Sequence, residues 1–483
     1  MSDPTTNPYH ISESTIEEPP TRFFQKLKFL GPGFILSASI VGSGELIATT
    51  SLGAKAGFVT LWVILVSCLV KVALQLEFGK HAINTGETTM EAFNKLPGPK
   101  FGKANWSIWL WLGLMVLKFL QVGGIIGLVA IICNIALPGT IALFGSESMA
   151  ETAWTVVFAI IVSLLIFRGK YQLIEKLSII LIGLFTLLTV GSLIMLQSTD
   201  YAVSAGDVGS GLMFHLPKAA IFFAIGAFGI TGVGGDEVMH YNYWLLEKGY
   251  AKKTGPRNTS DPDWQRRAKG WIKIMYLDAI AAMVVYTVMT MCFYILGAAI
   301  LHGTGGLQDG PGMIARLSTI YTETLGPKAG VIFLVGAFIV LFSTLFSALG
   351  AWTRAFSDSF GVIGWIDFNN VKQRRKTIAW LAWVIPILWA LVYLFFKAPQ
   401  FMVMVGGVST SLMLILVVFA AFHFRYRRLA KELKPSWFYD ICLWVSAIAI
   451  LLVGVWACAK PFVKETEAEL LLPEPPASVS PVE

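Results

Sequence analysis

The sequence VGSGEL occupies residues 41–46, and a near copy of it, VGGDEV, occupies residues 233–238. Both lie inside long apolar runs, where glycines interrupt helices and carboxylates are costly to bury. Backbone groups freed by such an interruption must find partners within the protein, because lipid offers none. The paired stretches therefore predict two unwound segments that surround a polar cavity inside a membrane.

The composition agrees with a membrane location for the whole chain. Its 483 residues are 55% hydrophobic and only 14% charged, with a mean hydropathy of +0.67, which is too apolar for a soluble protein of this length. Eleven apolar runs are long enough to cross a bilayer as helices. They lie near residues 28–54, 58–79, 106–136, 153–168, 174–197, 217–247, 270–301, 328–352, 377–396, 399–424 and 437–459.

The basic residues are distributed unevenly between these spans. Most of the 37 Lys and Arg residues fall in the N-terminal tail and in every second connection after it. The positive-inside rule then predicts a multi-pass protein of the cytoplasmic membrane, with the N-terminus in the cytoplasm and the C-terminus outside. We predict a cytoplasmic tail over 1–27, a transmembrane domain over 28–459 and a disordered tail over 460–483. This topology explains the net charge of +7, so a nucleic-acid partner is not needed.

The two glycine-rich breaks lie in the first and sixth spans. Spans 1–5 and 6–10 then form two copies of one unit, and the odd number of spans per copy inverts the second copy in the membrane. An inverted repeat with a broken helix in each copy is typical of secondary transporters. The sequence therefore predicts an all-α integral membrane protein with eleven transmembrane helices and a 5+5 inverted repeat.

Carboxylates beside the breaks are the candidate ligands for a cation. Glu45 follows the first break, and Asp236 and Glu237 follow the second. The unwound backbone at Gly42 and Gly234 would add the negative ends of the half-helices, which favour a cation. Because adjacent residues point in different directions on a regular helix, only one of the two carboxylates on the second half-helix is expected to contact the ion.

Two lysines inside apolar spans offer a different role for these carboxylates. Lys71 lies in the second span and Lys118 in the third. An ion pair within the membrane would neutralise a buried carboxylate without any cargo. From the residues alone, two roles stay open for these carboxylates: ligand of a cation, or ion-pair partner of a lysine.

Four segments of the chain resemble the NRAMP family of divalent metal transporters. The family's first two spans resemble GPGFILSASIVGSGELIATTSLGAKAGFVTLWVIL (31–65), and its approach to span 5 resembles RGKYQLIEKLS (168–178). Its span 6 resembles VMHYNYWLLEKG (238–249), and its span 10 resembles GGVSTSLML (406–414). The resemblance covers most of residues 28–459. It implies a fold of the leucine-transporter (APC) type with helices 1 and 6 broken.

The chain departs from this family at the positions that bind metal. Where the family has Asp-Pro-Gly-Asn, this chain has Gly-Ser-Gly-Glu over residues 42–45. The metal-binding Asp is therefore absent, and Glu45 replaces the Asn ligand. The resemblance places the family's ligand Met on Met239, and Asp236 stands where the family offers the backbone carbonyl of an Ala.

Further departures concern proton movement and the size of the pocket. Two family histidines correspond to Tyr241 and Leu246, and a Gln of span 10 corresponds to Gly407. Lys118 and Gln121 lie where the third span of the family carries acidic residues. Loss of the proton-linked groups favours uncoupled or differently coupled transport, and the glycine in span 10 predicts a wider pocket.

A wide pocket lined by oxygen atoms suits a hard ion that keeps its water, as Mg²⁺ does. We therefore predict secondary transport of divalent cations, Mg²⁺ or Mn²⁺ first, by alternating access and without a cofactor. Met239 keeps a softer metal open, and His240 is either a satisfied core residue or part of the pathway. The expected partners are the cation and the lipid bilayer, and the oligomeric state is open, a monomer included.

Two functions of other kinds remain open from the sequence. The GSGE segment also resembles the Gly-Ser-Gly break of amino-acid permeases, which would make the cargo an organic cation or an amino acid. A sensor on the same fold would bind a ligand without net flux. An enzyme is not predicted, because the chain contains no HExxH or GxSxG motif.

Overall fold

The computed structural model describes residues 7–42, 44–167, 171–303, 311–326 and 329–459. Several parts of the predictions above lie outside the described residues. They are residues 1–6 of the predicted cytoplasmic tail, Ser43 of the first break, residues 168–170 of the RGKYQLIEKLS segment, residue 328 at the start of the predicted span 328–352, and the predicted tail 460–483.

The main elements are helices, which we number in chain order. They are α1 (Pro32–Ile40), α2 (Thr50–Ala56), α3 (Leu61–Thr85), α4 (Trp106–Ala136), α5 (Glu147–Ile166), α6 (Tyr171–Leu196), α7 (Ile221–Ile230), α8 (Gly235–Lys248), α9 (Pro262–Leu296), α10 (Pro311–Leu325), α11 (Ala329–Ile363), α12 (Val371–Phe396), α13 (Pro399–His423) and α14 (Trp437–Ala459). Shorter helical segments are Glu13–Thr15, Phe23–Leu27, Gly44–Thr49, Gly57–Thr60, Thr89–Phe93, Gly139–Phe144, Ala205–Ser210, Lys218–Ala220, Tyr250–Thr254, Gly297–Leu301, Phe424–Arg428 and Lys431–Leu433. Two short antiparallel strands, β1 (Lys100–Phe101) and β2 (Ala104–Asn105), pair in the connection before α4.

Ten helical segments of the described residues are long and apolar enough to cross a membrane. The first of them, Gly44–Thr85, is 42 residues long, about twice what one crossing needs. Gly57 turns the chain within it at a φ of 63°, so this segment joins the second half of span 1 to span 2. The predicted all-α membrane fold is confirmed, whereas the count of eleven helices stays a prediction.

Both predicted helix breaks are present. α1 ends at Ile40, and the chain is helical again from Gly44, where a π-helical segment leads into α2. In the second copy, α7 ends at Ile230 and α8 begins at Gly235. Between them Gly232 has a φ of 64°, a conformation that favours glycine because it has no Cβ.

The broken helices lie in the interior of the bundle. α7 packs along α13, which in turn packs along α4, and α1 is enclosed by α6, α9 and α11. The most apolar stretch of the span that contains α7 and α8 is 78% buried, against 28% for α6 and for α14. The breaks are therefore shielded from lipid, and the outer helices supply the apolar surface that a bilayer requires.

Residues 7–20, which we call the N-terminal strap, lie across the ends of several helices. The Tyr9 hydroxyl donates to Glu247 Oε1 of α8 at 2.8 Å, and the Arg374 guanidinium of α12 donates to Asn7 Oδ1 at 2.8 Å. Further contacts reach α9. The strap therefore ties together three helices that lie apart in the sequence.

A charge cluster around Glu87 holds the connection between α3 and α4. The carboxylate lies 3.1 Å from His81 Nε2, 2.7 Å from Lys95 Nζ and 2.7 Å from the Arg428 guanidinium. Burial alone would raise the pKa of Glu87, but the hydrogen bonds and charges of these partners outweigh burial and lower its pKa to about 2. The cluster thus joins this connection to the segment that follows α13.

We expect Glu87→Gln to lower the stability of the protein near neutral pH by about 1–2 kcal/mol, a figure reduced because the cluster is partly screened by water. The pKa of Glu87 is lowered in the folded state, so its contribution is fully present above about pH 4.5 and is lost as the pH falls toward about 2. Thermal unfolding of the purified variant and the unaltered protein at several pH values checks this. If the difference in unfolding temperature between the two proteins does not decrease in acid, a stabilising role of the Glu87 charge is contradicted.

Candidate cation site

A small cavity lies between the two helix breaks. Its volume is about 20 Å³, which is room for about one water molecule. Its lining combines residues on both sides of the first break with residues of α4, α7, α8 and α11. The lining residues are Ser39, Ile40, Gly44, Lys118, Gln121, Val122, Ile125, Ile230, Asp236, Glu237, His240, Thr344, Ala348 and Trp352.

An ion pair within this cavity joins α4 to α8. Lys118 Nζ lies 3.1 Å from Asp236 Oδ1, and both side chains are almost completely buried. The same ammonium donates to Gln121 Oε1 at 2.6 Å and to Thr410 Oγ1 at 2.8 Å. The ammonium therefore has two hydrogen-bond acceptors, Gln121 and Thr410, and an ionic contact with Asp236. The pairing of a break carboxylate with an intramembrane lysine, one of the two roles open from the sequence, is therefore present in the structure.

Asp236 and Glu237 both line the cavity, although consecutive residues of a regular helix diverge. α8 begins at Gly235, so both belong to its first turn, where backbone N–H groups are free and favour negative charge. His240 lies one turn later in the same lining. Its Nε2 atom is buried and has no hydrogen-bond partner among the described residues. The cavity therefore presents two carboxylates and a free imidazole nitrogen on one side.

Glu45 is fully buried but does not line the cavity, where its neighbour Gly44 lies instead. The Gly42 N–H donates to Glu45 Oε2 at 3.1 Å, and Thr290 Oγ1 of α9 lies 3.0 Å from Glu45 Oε1. In this conformation the carboxylate caps the broken backbone and ties it to α9. Its predicted role as a metal ligand stays a prediction.

Lys71 contacts main-chain carbonyls at the end of α7 instead of a carboxylate. It donates to Thr231 O at 2.7 Å and to Gly229 O at 3.3 Å, and it also donates to Phe228 O. In this structure a lysine of the chain therefore lies at the end of this half-helix, and the predicted contact of the cargo with this backbone stays a prediction. The two intramembrane lysines therefore have different partners.

Met239 and Tyr241, which the resemblance places at ligand and histidine positions, lie outside the cavity lining. Met239 is fully buried, and its carbonyl accepts a hydrogen bond from Thr89 Oγ1 at 2.7 Å. The Tyr241 hydroxyl donates to Asp278 Oδ2 at 3.0 Å. No sulfur atom lies among the residues that line the cavity in the described part of the chain.

Asp278 is a buried residue that the sequence-based predictions do not include. It accepts hydrogen bonds from Gly31 N at 2.8 Å and Gly33 N at 2.6 Å, at the start of α1. Together with its contact to Tyr241, this carboxylate fastens one half of each broken helix to α9. An ionisable residue within the apolar run 270–301 was the available signal.

The wider pocket predicted from Gly407 is wrong. A Cβ at this position would lie 2.6 Å from Gly226 O and 2.6 Å from Ile230 Cδ1. The missing side chain lets α13 approach α7 closely, and Ile230 fills the space that a longer residue would occupy. The backbone at Gly42 and Gly234 does not line the cavity in this structure, and its predicted contact with the cargo stays a prediction.

We expect Gly407→Ala to destabilise the protein by about 1–3 kcal/mol, because the new methyl group would push α13 away from the α7 backbone. The matched control is Gly113→Ala in α4, where a Cβ would have no neighbour within 4 Å. Thermal unfolding of both purified variants measures the difference. Equal midpoints for the two variants would contradict close packing at Gly407.

In the part of the chain that the structure describes, no three His, Cys, Asp or Glu side chains converge as a metal-binding group. The cavity instead combines the carboxylates of Asp236 and Glu237 with residues on both sides of the first break, such as Ile40 and Gly44. Two carboxylates without a converging set of further metal ligands suit a passing cation better than a resident structural metal.

Comparisons with known proteins give matches that extend over most of the chain. The family described as Nramp, natural resistance-associated macrophage protein-like, matches residues 33–460. The chain is 24% identical over 458 residues to the "Divalent metal cation transporter MntH" of Nostoc sp., covering 90% of this chain and 91% of that protein. It is 23% identical over 361 residues to "Uncharacterized protein PM0681" of Pasteurella multocida, covering 74% and 76% of the two chains.

Solved structures show the same fold at low sequence identity. A crystal structure of the Eremococcus coleocola manganese transporter superposes with a TM-score of 0.62 and 17% identity, covering 95% of this chain and 94% of that one. Mhp1, a nucleobase-cation-symport-1 family transporter, superposes with a TM-score of 0.53 and 16% identity, covering 94% and 97%. These likenesses confirm the predicted leucine-transporter type of fold with broken helices 1 and 6.

Proposed function

This chain belongs to the Nramp family of membrane transporters, and from that premise we propose that it carries a divalent metal cation, Mg²⁺ or Mn²⁺, through the cavity between its helix breaks. Relatives named as divalent metal cation transporters and a manganese transporter of the same fold support the class of cargo. The observation that carries the proposal is the pair of carboxylates, Asp236 and Glu237, in a cavity enclosed by membrane helices.

The chemistry of the cavity lining favours a hard cation. Its charged oxygen atoms are the carboxylates of Asp236 and Glu237, and carboxylate oxygen atoms suit Mg²⁺ and Mn²⁺. The thioether of Met239, which would favour softer metals, is not in the lining. An amino acid would need a far larger chamber than about 20 Å³, so an organic cargo fits this geometry less well.

The ion pair between Lys118 and Asp236 gives the empty carrier a defined state. The ammonium neutralises the carboxylate while no cargo is present, which avoids an unpaired buried charge. A cation that enters beside Asp236 and Glu237 repels the ammonium, and Gln121 and Thr410 remain as its hydrogen-bond acceptors. The ammonium thus offsets the charge of Asp236 in the empty carrier, and the cation takes its place beside this carboxylate in the loaded carrier.

Transport in this proposal does not depend on proton entry with the metal. The proton-linked Asp and histidines of the family resemblance are replaced by Gly42, Tyr241 and Leu246. Tyr241 is held by Asp278 outside the cavity. Alternating access then results from movement of the half-helices on either side of the two breaks.

The proposed setting is the cytoplasmic membrane, with the N-terminal strap on the cytoplasmic side. Most Lys and Arg residues lie on the same side as the strap in the predicted topology, which supports this orientation. The cavity lies within one chain, so a monomer suffices for the transport cycle.

Liposomes holding the purified protein test the function directly. Mg²⁺ and Mn²⁺ dyes inside the vesicles report metal entry, and an internal pH dye reports proton entry. Saturable metal entry without acidification supports the proposal, and protein-free vesicles give the background. Metal entry with acidification would contradict the uncoupled mechanism. Binding without flux would indicate a sensor, and uptake of an organic amine that excess Mg²⁺ does not inhibit would indicate a different cargo.

A further inference from the structure

The last carbonyl groups of α7 form a cradle that is separate from the transport cavity. α7 ends at Ile230, so the carbonyls of its final turn lack partners within the helix. The carbonyl oxygens of Phe228, Gly229 and Thr231 converge on one point, to which we refer as the carbonyl cradle. The negative end of the α7 dipole adds to the attraction that this point exerts on positive charge.

The ammonium of Lys71 occupies the carbonyl cradle. It donates to Thr231 O at 2.7 Å and to Gly229 O at 3.3 Å, as well as to Phe228 O, so its three hydrogens have three acceptors. The face of the Phe228 ring lies 4.8 Å from the nitrogen and adds a cation–π contact. The lysine is completely buried. The side-chain nitrogen of Lys71 is therefore held within the membrane by neutral oxygen atoms.

This arrangement differs from that of Lys118, whose ammonium meets the carboxylate of Asp236. A ring of uncharged carbonyl oxygens is the environment in which proteins bind K⁺ and Na⁺. Ser67 of α3 supplies another oxygen beside it, since its hydroxyl donates to Phe228 O and Thr231 O, both at 3.0 Å. These oxygen atoms are therefore ligands of the kind that a monovalent-cation site provides.

We propose that the carbonyl cradle is a monovalent-cation site that this chain fills with the side chain of Lys71 in place of a diffusible ion. The tethered ammonium fixes the end of α7 at the second break without any requirement for Na⁺ or K⁺. The assignment does not depend on which ion the transport cavity carries. Removing the side chain empties the cradle and exposes it to small cations in solution.

The variant Lys71→Ala tests this assignment through its thermal unfolding in KCl, NaCl, NH₄Cl and N-methylglucamine chloride at equal ionic strength. We expect the unaltered protein to unfold at the same temperature in all four salts. The variant should unfold several degrees lower in N-methylglucamine, and at least one small cation should restore part of that loss. Equal midpoints of Lys71→Ala in all four salts would overturn the proposal. Lys55→Ala, at an exposed lysine, is the control for general salt effects.

A second variant, Lys71→Gln, keeps hydrogen-bond donors in the cradle but removes the charge. We expect it to unfold below the unaltered protein and to show no response to the choice of cation, because the amide group occupies the site. If Lys71→Gln is as stable as the unaltered protein, hydrogen bonding alone accounts for the contact and the cation site is disproved. This comparison decides the question even if Lys71→Ala does not fold.

Discussion

We expect Asp236→Asn to abolish saturable uptake of Mg²⁺ and Mn²⁺ into liposomes, because the substitution removes the carboxylate that faces the cavity and pairs with Lys118. It also leaves a buried ammonium without its ionic partner, which costs about 3–5 kcal/mol in comparable cases. Metal-sensitive dyes measure the first effect, and thermal unfolding measures the second. The loss of uptake therefore has to be separated from a loss of folded protein.

The double variant Lys118→Met, Asp236→Asn separates the two effects. Removing both charges avoids an unpaired ion, so we expect its stability to return most of the way to that of the unaltered protein. Its uptake should remain absent, because the ligand is still missing. Normal transport by a stable double variant would show that Asp236 does not bind the cargo.

Glu45→Ala and Glu45→Gln should have opposite outcomes. The alanine variant leaves the Gly42 N–H without its acceptor and removes the contact to Thr290, which costs about 1–3 kcal/mol and loosens the first break. We expect it to lose uptake. A glutamine keeps an acceptor for the Gly42 N–H and a polar group near Thr290, so this variant should keep most of its uptake.

Liposome uptake at matched protein content compares these two variants. Equal loss in both would mean that the negative charge of Glu45 is itself needed. The carboxylate would then be a direct ligand, as the sequence alone predicts, and the site would extend beyond the two residues of α8. Retained uptake in the glutamine variant limits Glu45 to holding the broken backbone.

The membrane spans were predictable because their signal is local. The apolar run predicted over 106–136 coincides with α4, whose start is fixed by the Asn105 side chain accepting from Ser107 N. The two breaks were equally visible, since a carboxylate beside glycines is costly inside an apolar run and therefore marks a functional position. α10, in contrast, was missed because it is an amphipathic helix between spans and has no long apolar run.

The partners of the buried charges could not be predicted in the same way. Lys71 and Lys118 were both recognised as intramembrane cations, yet one meets carbonyls and the other a carboxylate. Their partners depend on how α3 and α4 are rotated about their own axes, which a single apolar sequence does not determine. Glu45 shows the same limit, because its carboxylate folds back on the backbone three residues earlier.

The volume of the transport cavity has a consequence for the rates of different ions. A space for about one water molecule cannot hold a six-coordinate ion with its hydration shell. If the carrier closes to this volume around its cargo, the ion must shed most of its water first, and Mg²⁺ does so reluctantly. The turnover of Mn²⁺ would then exceed that of Mg²⁺ even at equal affinity. Equal turnover of the two ions would instead indicate that the carrier does not close to this volume around its cargo. The structure would then correspond to the unloaded carrier as it returns to bind the next ion.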